Sequence, residues 1–390
     1  MSKHPALPIR KAPILSFDAA TFMEFGSMMS REQILIRLAQ DHVVIHSTPP
    51  TGRHIPAPAG GITELHPNLY HYSNPWFLPL IYKSSALEKF ARKLRRLHRK
   101  NKLRSKSARD KPILYLWHPF FADEIGMYNE SILVYHIYDD YSTLPGASSN
   151  LIEKELKILR RADIVFVANA RLLNERKQLV DREYIHLQQG VDFAAFEAAR
   201  TSAIPPPLDI SSIPHPRIGY IGRLNEKVDL GLVEALIAAR PDWQFVFVGP
   251  MEPSISEHIA RMKAHNNVHV LGRKSFGEVA TYWNELDVAV IPYRHESGQW
   301  AHFGSPLKLR EALAAGKPIV ASPLDDIEAH GSLVQTASSL DDWLIAIDAA
   351  IGQINDHELQ SVRIDYARQN SWDARVAQIE EIIAATQAKV

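Results

Sequence analysis

Apolar positions along this chain come in short unbroken runs separated by longer segments of helical period, and the two kinds of segment alternate. APILSF (residues 12–17) reads as a buried strand, REQILIRLAQ as a helix, and His42-Val43-Val44-Ile45-His46 as a second strand. A polar, proline-bearing stretch to Pro67 reads as a long loop. PILYLWH (112–118), SILVYHIYDDY (131–141) and DIVFVAN (163–169) are further strands, with helices IEKELKILRRA and RLLNERKQLV, then the strand YIHLQQ and a GVD turn. After proline clusters at Ile204–Pro207 and Ile213–Pro216 the alternation restarts. Strands RIGYIG (217–222), QFVFVG (244–249), VHVLG (268–272) and VAVIPY (288–293) are interleaved with helices LGLVEALIAARP, SISEHIARMKAH and FGEVATYWNEL. Strand-helix alternation of this kind predicts parallel sheets, so the fold class is α/β with two domains, residues 1–203 and 217–370, joined by a linker at 204–216.

The stretch FGSPLKLREALAAGKPIVASP (303–323) carries the most chemistry. Ser305 and Pro306 fit an N-cap and a first helical residue, and Leu307, Leu309, Leu313 and Ala314 recur near helical spacing. Gly316 ends the helix, Lys317-Pro318 turns the chain and Ile319-Val320-Ala321 is a buried strand. Lys308 sits in the first turn, where a cation gains nothing from the helix dipole, so an anionic ligand is the better reason for it. Glu311, three residues on, has two acceptor oxygens suited to a diol such as a ribose. An ordinary surface helix with a solvent-facing Lys–Glu pair is the competing reading. The turn GRLNEK lacks a G-x-G-x-x-G pattern but places Arg223 and Lys227 beyond a strand end, where two cations can flank a diphosphate.

In the first half, His118 closes one strand, and His136, Asp139 and Asp140 lie at or just past the end of another, the rim where open parallel sheets hold ligands. Adjacent side chains in extended backbone point apart, so at most one of Asp139 and Asp140 is expected to face a given substrate. Each has a structural alternative, as a strand or helix cap.

Composition narrows the class. With 390 residues, 46% hydrophobic and 23% charged, the chain is a globular protein with ample burial for two domains. No apolar run of about 20 residues appears, and the N-terminal MSKHPALPIRKAPILSF does not look like a secretion signal, so a cytoplasmic location is expected. Zero cysteines exclude disulfides, thiolate catalysis and cysteine-ligated metals. No Asp-x-Asp loop or clear histidine ligand spacing implies a metal. Formal net charge is zero, yet between Lys83 and Lys111 thirteen Lys and Arg face only Glu88 and Asp110, a local charge of +11. Leu87, Phe90, Leu94 and Leu97 keep a helical period among these cations, and Trp76, Phe77, Leu80 and Tyr82 precede them. A basic amphipathic helix docked on an anionic membrane surface is the favoured reading over a solvated helix; nucleic acid is set aside because no binding module accompanies the charge.

These residues resemble the glycosyltransferases of the GT-B fold, particularly the large retaining family of bacterial polysaccharide and lipopolysaccharide enzymes. RIGYIGRLNEK, RPDWQFVFVGP, NNVHVLGRKSFGEVATYWNELDVAVIPYR and SPLKLREALAAGKPIVASP follow that family's order and spacing. The resemblance implies two Rossmann-like domains with parallel sheets facing across a cleft, an acceptor-binding N-terminal domain, and a last helix, 371–390, crossing back to it. It places Arg223 and Lys227 on the donor diphosphate, the Gly272-Arg273-Lys274 turn on the nucleobase and Glu311 on the ribose. The family's earlier glutamate is replaced by Phe303, with Glu296 seven residues too early. VYHIYDDYS and SPLKLREALAAG also resemble the membrane-associated glucuronosyltransferase of xanthan assembly, an inverting enzyme, which puts Asp139 on the general base and Lys308 on a phosphate. The expected function is hexosyl transfer from a nucleotide-sugar, without metal, to a glycan or lipid-linked acceptor, with the protein peripheral on the inner face of the plasma membrane. The alternatives are a GT-B sugar-nucleotide-processing enzyme such as an epimerase, and an inactive nucleotide-sugar-binding protein.

Overall fold

The computed structural model describes residues 11–19, 30–49, 61–73, 85–107, 111–141, 149–202, 205–295 and 306–389. The chain divides into two compact units, one formed by residues 1–188 with 376–390 and the other by 189–375.

The first unit contains β1 (Ile14–Phe17), α1 (Ser30–Leu38), β2 (Val44–Ser47), β3 (Ile62–His66), β4 (Leu69–Tyr72), α2 (Ser85–Lys106), β5 (Ile113–Leu116), a 3-10 helix (Pro119–Glu124), β6 (Ile132–Ile137), α3 (Ser149–Arg161), β7 (Ile164–Val167), α4 (Ala170–Leu179) and β8 (Ile185–His186). Its sheet runs β3-β4-β2-β1-β5-β6-β7-β8, parallel throughout except for the antiparallel edge pair β3 and β4. The order reverses between β1 and β5, the place where open α/β sheets gather ligands. Strands β1, β2, β5, β6 and β7 are buried at every position, which is why they read as mainly apolar runs, with Ser16, His46, Ser47 and His136 as buried polar exceptions. The expected loop to Pro67 instead contains β3. As an edge strand it is exposed at Thr63–His66 and so carries no apolar pattern.

Helix α2 is inverted relative to its hydrophobicity. Ala91, Arg95, Arg99 and Leu103, spaced four apart, form its buried face. Leu87, Phe90 and Leu97 are 54%, 58% and 50% exposed on the opposite side. The buried arginine is compensated: the Arg99 guanidinium lies 5.0 Å from the ring centres of both Phe17 and Tyr72 and reaches Glu124 at 3.3 Å.

The second unit contains α5 (Phe193–Thr201), α6 (Leu208–Ser211), β9 (Arg217–Ile221), α7 (Leu230–Ala239), β10 (Gln244–Val248), α8 (Ser256–Met262), β11 (Val268–Gly272), α9 (Phe276–Glu285), β12 (Val288–Ile291), α10 (Leu307–Ala314), β13 (Ile319–Ala321), α11 (Asp325–Glu328), β14 (Gln335–Thr336), α12 (Leu340–Gly352), α13 (His357–Gln369) and the start of α14 (Trp372–Gln387). The wholly parallel sheet runs β11-β10-β9-β12-β13-β14, with its reversal between β9 and β12. Alternate strand residues serve two cores. Val246, Val248, Ala289 and Ile291 pack with α9 and α10, whereas Ile218, Tyr220, Phe245 and Phe247 pack with α7, α8 and α12. The division at 188/189 precedes the proline-bearing segment because residues after it fold here. Phe193, Phe196 and Ile210 join the first of these cores, and buried Arg217 ties β9 to Ile213 O at 2.9 Å and Glu285 at 3.0 Å.

Candidate active site

At the carboxyl ends of β9, β10 and β11 three glycines take positive φ: Gly222 (142°), Gly249 (140°) and Gly272 (70°). Gly222 N donates to Val248 O and Gly249 N to Gly272 O, both at 2.8 Å, so the three turns are tied together. A Cβ on Gly249 would stand 2.0 Å from Gly222 O, which leaves room for no other residue. The loop after Gly222 is held on both sides. Leu224 N donates to Pro250 O at 2.9 Å, Asp229 N to Pro292 O at 2.8 Å, and Arg294 N to Lys227 O at 2.9 Å.

Lys308 of α10 lies over this turn. Its Cε is 2.8 Å from where a Gly222 Cβ would be, so a side chain there would displace the lysine, and the φ of 142° already favours glycine. Its ammonium donates to the Tyr293 hydroxyl and sits 4.7 and 4.6 Å from the ring centres of Tyr220 and Tyr293. Burial works against the charge, but the two tyrosines outweigh it and hold the lysine above its ordinary value. Tyr293 is likewise opposed by burial and lowered by the neighbouring Lys308 charge. Glu311, one turn on, accepts from Trp283 Nε1 at 3.1 Å. Burial raises its carboxyl, with the indole N–H and Lys308 acting the other way.

The helix starts one residue later than the sequence suggests: extended Pro306 is the N-cap and Leu307 the first helical residue. Ser305, Phe303 and Glu296 lie outside the described residues. At the far end Gly316 (φ 72°) closes the helix, with its N–H on Leu313 O and that of Lys317 on Ala312 O.

Arg223 is half exposed at the turn, 3.5 Å from Glu252, and its carbonyl accepts the Tyr220 hydroxyl at 2.9 Å. Lys227 N–H is fixed by Asn225 Oδ1 at 3.1 Å, and its charge acts on Tyr293. Arg273 is exposed just past β11. Lys274 is committed elsewhere. It pairs with Asp209 at 2.5 Å and lies 4.9 Å from the Tyr282 ring centre, which fastens α6 to α9. Residues that sequence reasoning missed are Tyr220, Tyr293, Trp283 and Gly249; the aromatics were hidden inside apolar runs.

In the first unit, Asp139 is exposed just beyond β6, while Asp140 turns to Arg176 of α4 at 2.9 Å. Arg176 also binds Glu155 at 3.0 Å, so Asp140 belongs to a buried structural network. His136 is fully buried within β6, accepting from or donating to the Tyr115 hydroxyl at 2.8 Å and stacked on Trp117 and Tyr138. Burial pushes it down to about 3, leaving it neutral. His118 caps the 3-10 helix, its Nδ1 accepting from Phe120 N at 3.1 Å. Burial, aided by the Lys154 charge, lowers it to about 4.

A glycine-walled turn, a cation pressed onto it and a carboxylate one turn away thus lie together at the carboxyl end of the second sheet. Residues 215–352 match the family model described as Glycosyl transferases group 1. The chain has the GT-B fold. A Bacillus subtilis (strain 168) protein carrying the name teichuronic acid biosynthesis glycosyltransferase TuaH is 27% identical over 282 residues, covering 68% of this chain and 70% of that protein. Among solved structures, Anabaena HepE in complex with UDP and glucose superposes with a TM-score of 0.66 at 15% identity, over 96% of this chain and all of that one. Sucrose-phosphate synthase from Thermosynechococcus elongatus gives 0.67 at 16% identity, over 97% and 100%.

Proposed function

We propose that this protein transfers a hexosyl group from a nucleotide-sugar to a glycan or lipid-linked acceptor in bacterial polysaccharide biosynthesis. Lys308, Arg223 and Lys227 neutralise the donor diphosphate, Glu311 accepts from the ribose hydroxyls, and Arg273 flanks the base. Lys274 has Asp209 as its partner and takes no part. The observation that carries the reading is the seating of Lys308 on Gly222, because an ammonium held against a backbone turn at a sheet's reversal point is placed for a phosphate. The names of the Bacillus relative and the Anabaena neighbour fit a polymer-building enzyme that uses a UDP-sugar. We assign neutralisation of the leaving diphosphate to side-chain cations in place of a metal ion. Asp139 is the general base toward the acceptor hydroxyl, which makes the reaction inverting. The test is a panel of nucleotide-sugars offered with lipid-linked acceptors, read as nucleoside diphosphate released and glycan formed. Transfer from one donor is expected; tight donor binding without any product would overturn the enzymatic reading.

The same reading includes peripheral membrane binding. Leu87, Phe90 and Leu97 project outward from α2 beside exposed Lys89, Lys93 and Arg104, an apolar ridge flanked by cations that fits an anionic bilayer. Among the described residues no helix is long and apolar enough to cross a membrane. The protein is expected to sediment with anionic liposomes and to be released by salt. Equal partitioning onto neutral and anionic liposomes at low salt contradicts this. Trp76, Phe77, Leu80 and Tyr82, expected to share the role, lie outside the described residues.

A further inference from the structure

Where β9 and β12 end side by side, at the reversal of the second sheet, the Lys308 ammonium lies between two phenol rings, Tyr220 of β9 and Tyr293 just past β12. The hydrogens at this point can be assigned one by one. Tyr220 has a single hydroxyl hydrogen and gives it to Arg223 O at 2.9 Å, so toward its other neighbours its oxygen only accepts. Lys308 donates and accepts nothing; its hydrogens go to the Tyr293 hydroxyl and toward the Tyr220 oxygen. The Tyr293 oxygen is therefore an acceptor for the lysine. Among the described residues its own hydrogen has only the Tyr220 oxygen to turn to, which Lys308 already serves. Backbone contacts hold this phenol beside the second cation. Val228 pairs with Tyr293 across an antiparallel bridge, and Arg294 N donates to Lys227 O at 2.9 Å, so the ring and Lys227 move as one piece. Burial opposes a phenolate here, but Lys308, the Tyr220 hydroxyl and the Lys227 charge outweigh it and hold Tyr293 below its ordinary value of 10.0. Burial pushes Tyr220 the other way. A phenol made more acidic by neighbouring cations is a stronger donor to an anion.

We propose that Tyr293 is a further binding residue for the donor diphosphate, its hydroxyl accepting from Lys308 and donating its own hydrogen to a phosphate oxygen. The inference deepens the donor half of the proposed function and rests on that reading. Ammonium and phenol then have separate tasks. Lys308 supplies charge, and Tyr293 supplies a directed hydrogen bond that strengthens as the leaving diphosphate gains negative charge. Tyr220 gives the ligand neither, because its hydrogen closes the turn on Arg223 O. The assignment carries a pH dependence of defined sign. The titratable and charged groups facing the Tyr293 hydroxyl are Lys308 from α10, Tyr220 from β9 and Lys227 from the loop between β9 and α7. Ionised Tyr293 has no hydrogen to give, and its negative charge takes Lys308 for itself. Diphosphate affinity therefore falls as pH rises through the lowered Tyr293 value, which lies below 10.0.

The experiment is a calorimetric titration of the full-length protein with UDP, ADP and GDP between about pH 7.5 and 9.5, run on wild type, Lys308→Ala, Tyr293→Phe and Tyr220→Phe. At the low end Tyr293→Phe is expected to weaken the tightest of the three ligands by about tenfold or more. Across the range affinity falls in the wild type and stays flat in Tyr293→Phe. Tyr220→Phe keeps the fall, since the hydrogen it loses never faced the ligand. Tyr293→Phe with wild-type affinity overturns the inference. So does weakened binding that keeps the wild-type fall with pH, which marks a packing role, and so does a fall abolished in Tyr220→Phe. A tyrosinate absorbance titration of the wild type needs no variant: one phenol ionises below the ordinary range, and saturating nucleoside diphosphate moves it upward. A phenol that does not respond to the ligand also overturns the assignment. Binding weakened by Lys308→Ala but untouched by Tyr293→Phe removes Tyr293 alone and leaves the donor reading intact. Binding that ignores Lys308→Ala, or no binding of any of the three ligands, sinks the donor reading itself.

Discussion

Replacing Asp139 with asparagine is expected to cut turnover by roughly 100-fold or more while nucleotide affinity holds, because the substitution keeps the side chain's size and removes its capacity to take a proton. The choice of Asp139 over its neighbour rests on where the two carboxylates go. Beyond β6 the chain bends at Asp139, and the surroundings of the two carboxylates differ. Asp140 is drawn inward to Arg176 at 2.9 Å, and Arg176 in turn holds Glu155 at 3.0 Å, whereas Asp139 is exposed at the rim. Asp140→Asn should therefore act on stability, since it leaves a buried guanidinium short of one partner. Paired measurements of steady-state turnover and thermal midpoint separate the two effects. Near-normal turnover in Asp139→Asn with a severe kinetic loss in Asp140→Asn, at an unchanged midpoint, would reverse the assignment. A product that retains the donor's anomeric configuration would remove the general-base mechanism altogether.

Lys308→Ala is expected to weaken nucleoside diphosphate binding by roughly 30- to 150-fold, the equivalent of losing about 2–3 kcal/mol from one charged phosphate contact. The lysine's position is what makes the effect large. Its stem crosses Gly222 and its charge is framed by Tyr220 and Tyr293, so it is held in place before the ligand arrives and little ordering is left to be lost on binding. Those contacts also raise its folded-state value above the ordinary 10.5, so its charge stabilises the fold fully below pH 10.5 and that contribution fades as pH rises through the folded value. Alanine consequently removes some stability at neutral pH as well, and affinity must be measured well below the variant's thermal midpoint. Unchanged affinity for every nucleoside diphosphate in a folded Lys308→Ala protein would take the residue out of the site.

The strands and the α10 unit were legible because their physics is local. A strand buried on both faces has to be a short apolar run, and β6, β7, β10 and β12 are such runs. The end of α10 was readable from Gly316 because few other residues take its backbone angles. What could not be read depended on distant partners. Strand β3 exists through its pairing with β4, and its exposed residues carry no signal of their own. The buried face of α2 depends on Glu124 and Tyr128, which hold Arg99 from 25 and 29 residues downstream, and the period of the apolar residues on its outer face carries no sign of it. Lys274 looked like Arg273 in sequence, and its commitment to Asp209 comes from a fold-back of 65 residues. Tyr220 and Tyr293 sat within segments read as core, where their hydroxyls gave no hint of the lysine they receive.

The first unit is discontinuous in sequence, and that has a consequence for how the protein is made. Val376–Val390 belongs to it, with Ile379 and Ile383 buried and Glu380 binding His42 at 2.8 Å and Lys11 at 3.1 Å. Residues 189–375 are contiguous, so the second unit has all its own parts once they leave the ribosome, although it is translated later. The first unit, begun earlier, waits for a segment encoded after the whole of the second. For that interval the surface around His42 and Lys11 stands uncovered on the nascent chain, and a holdase or a pause in translation acting there would protect the part of the protein that is synthesised first and finished last.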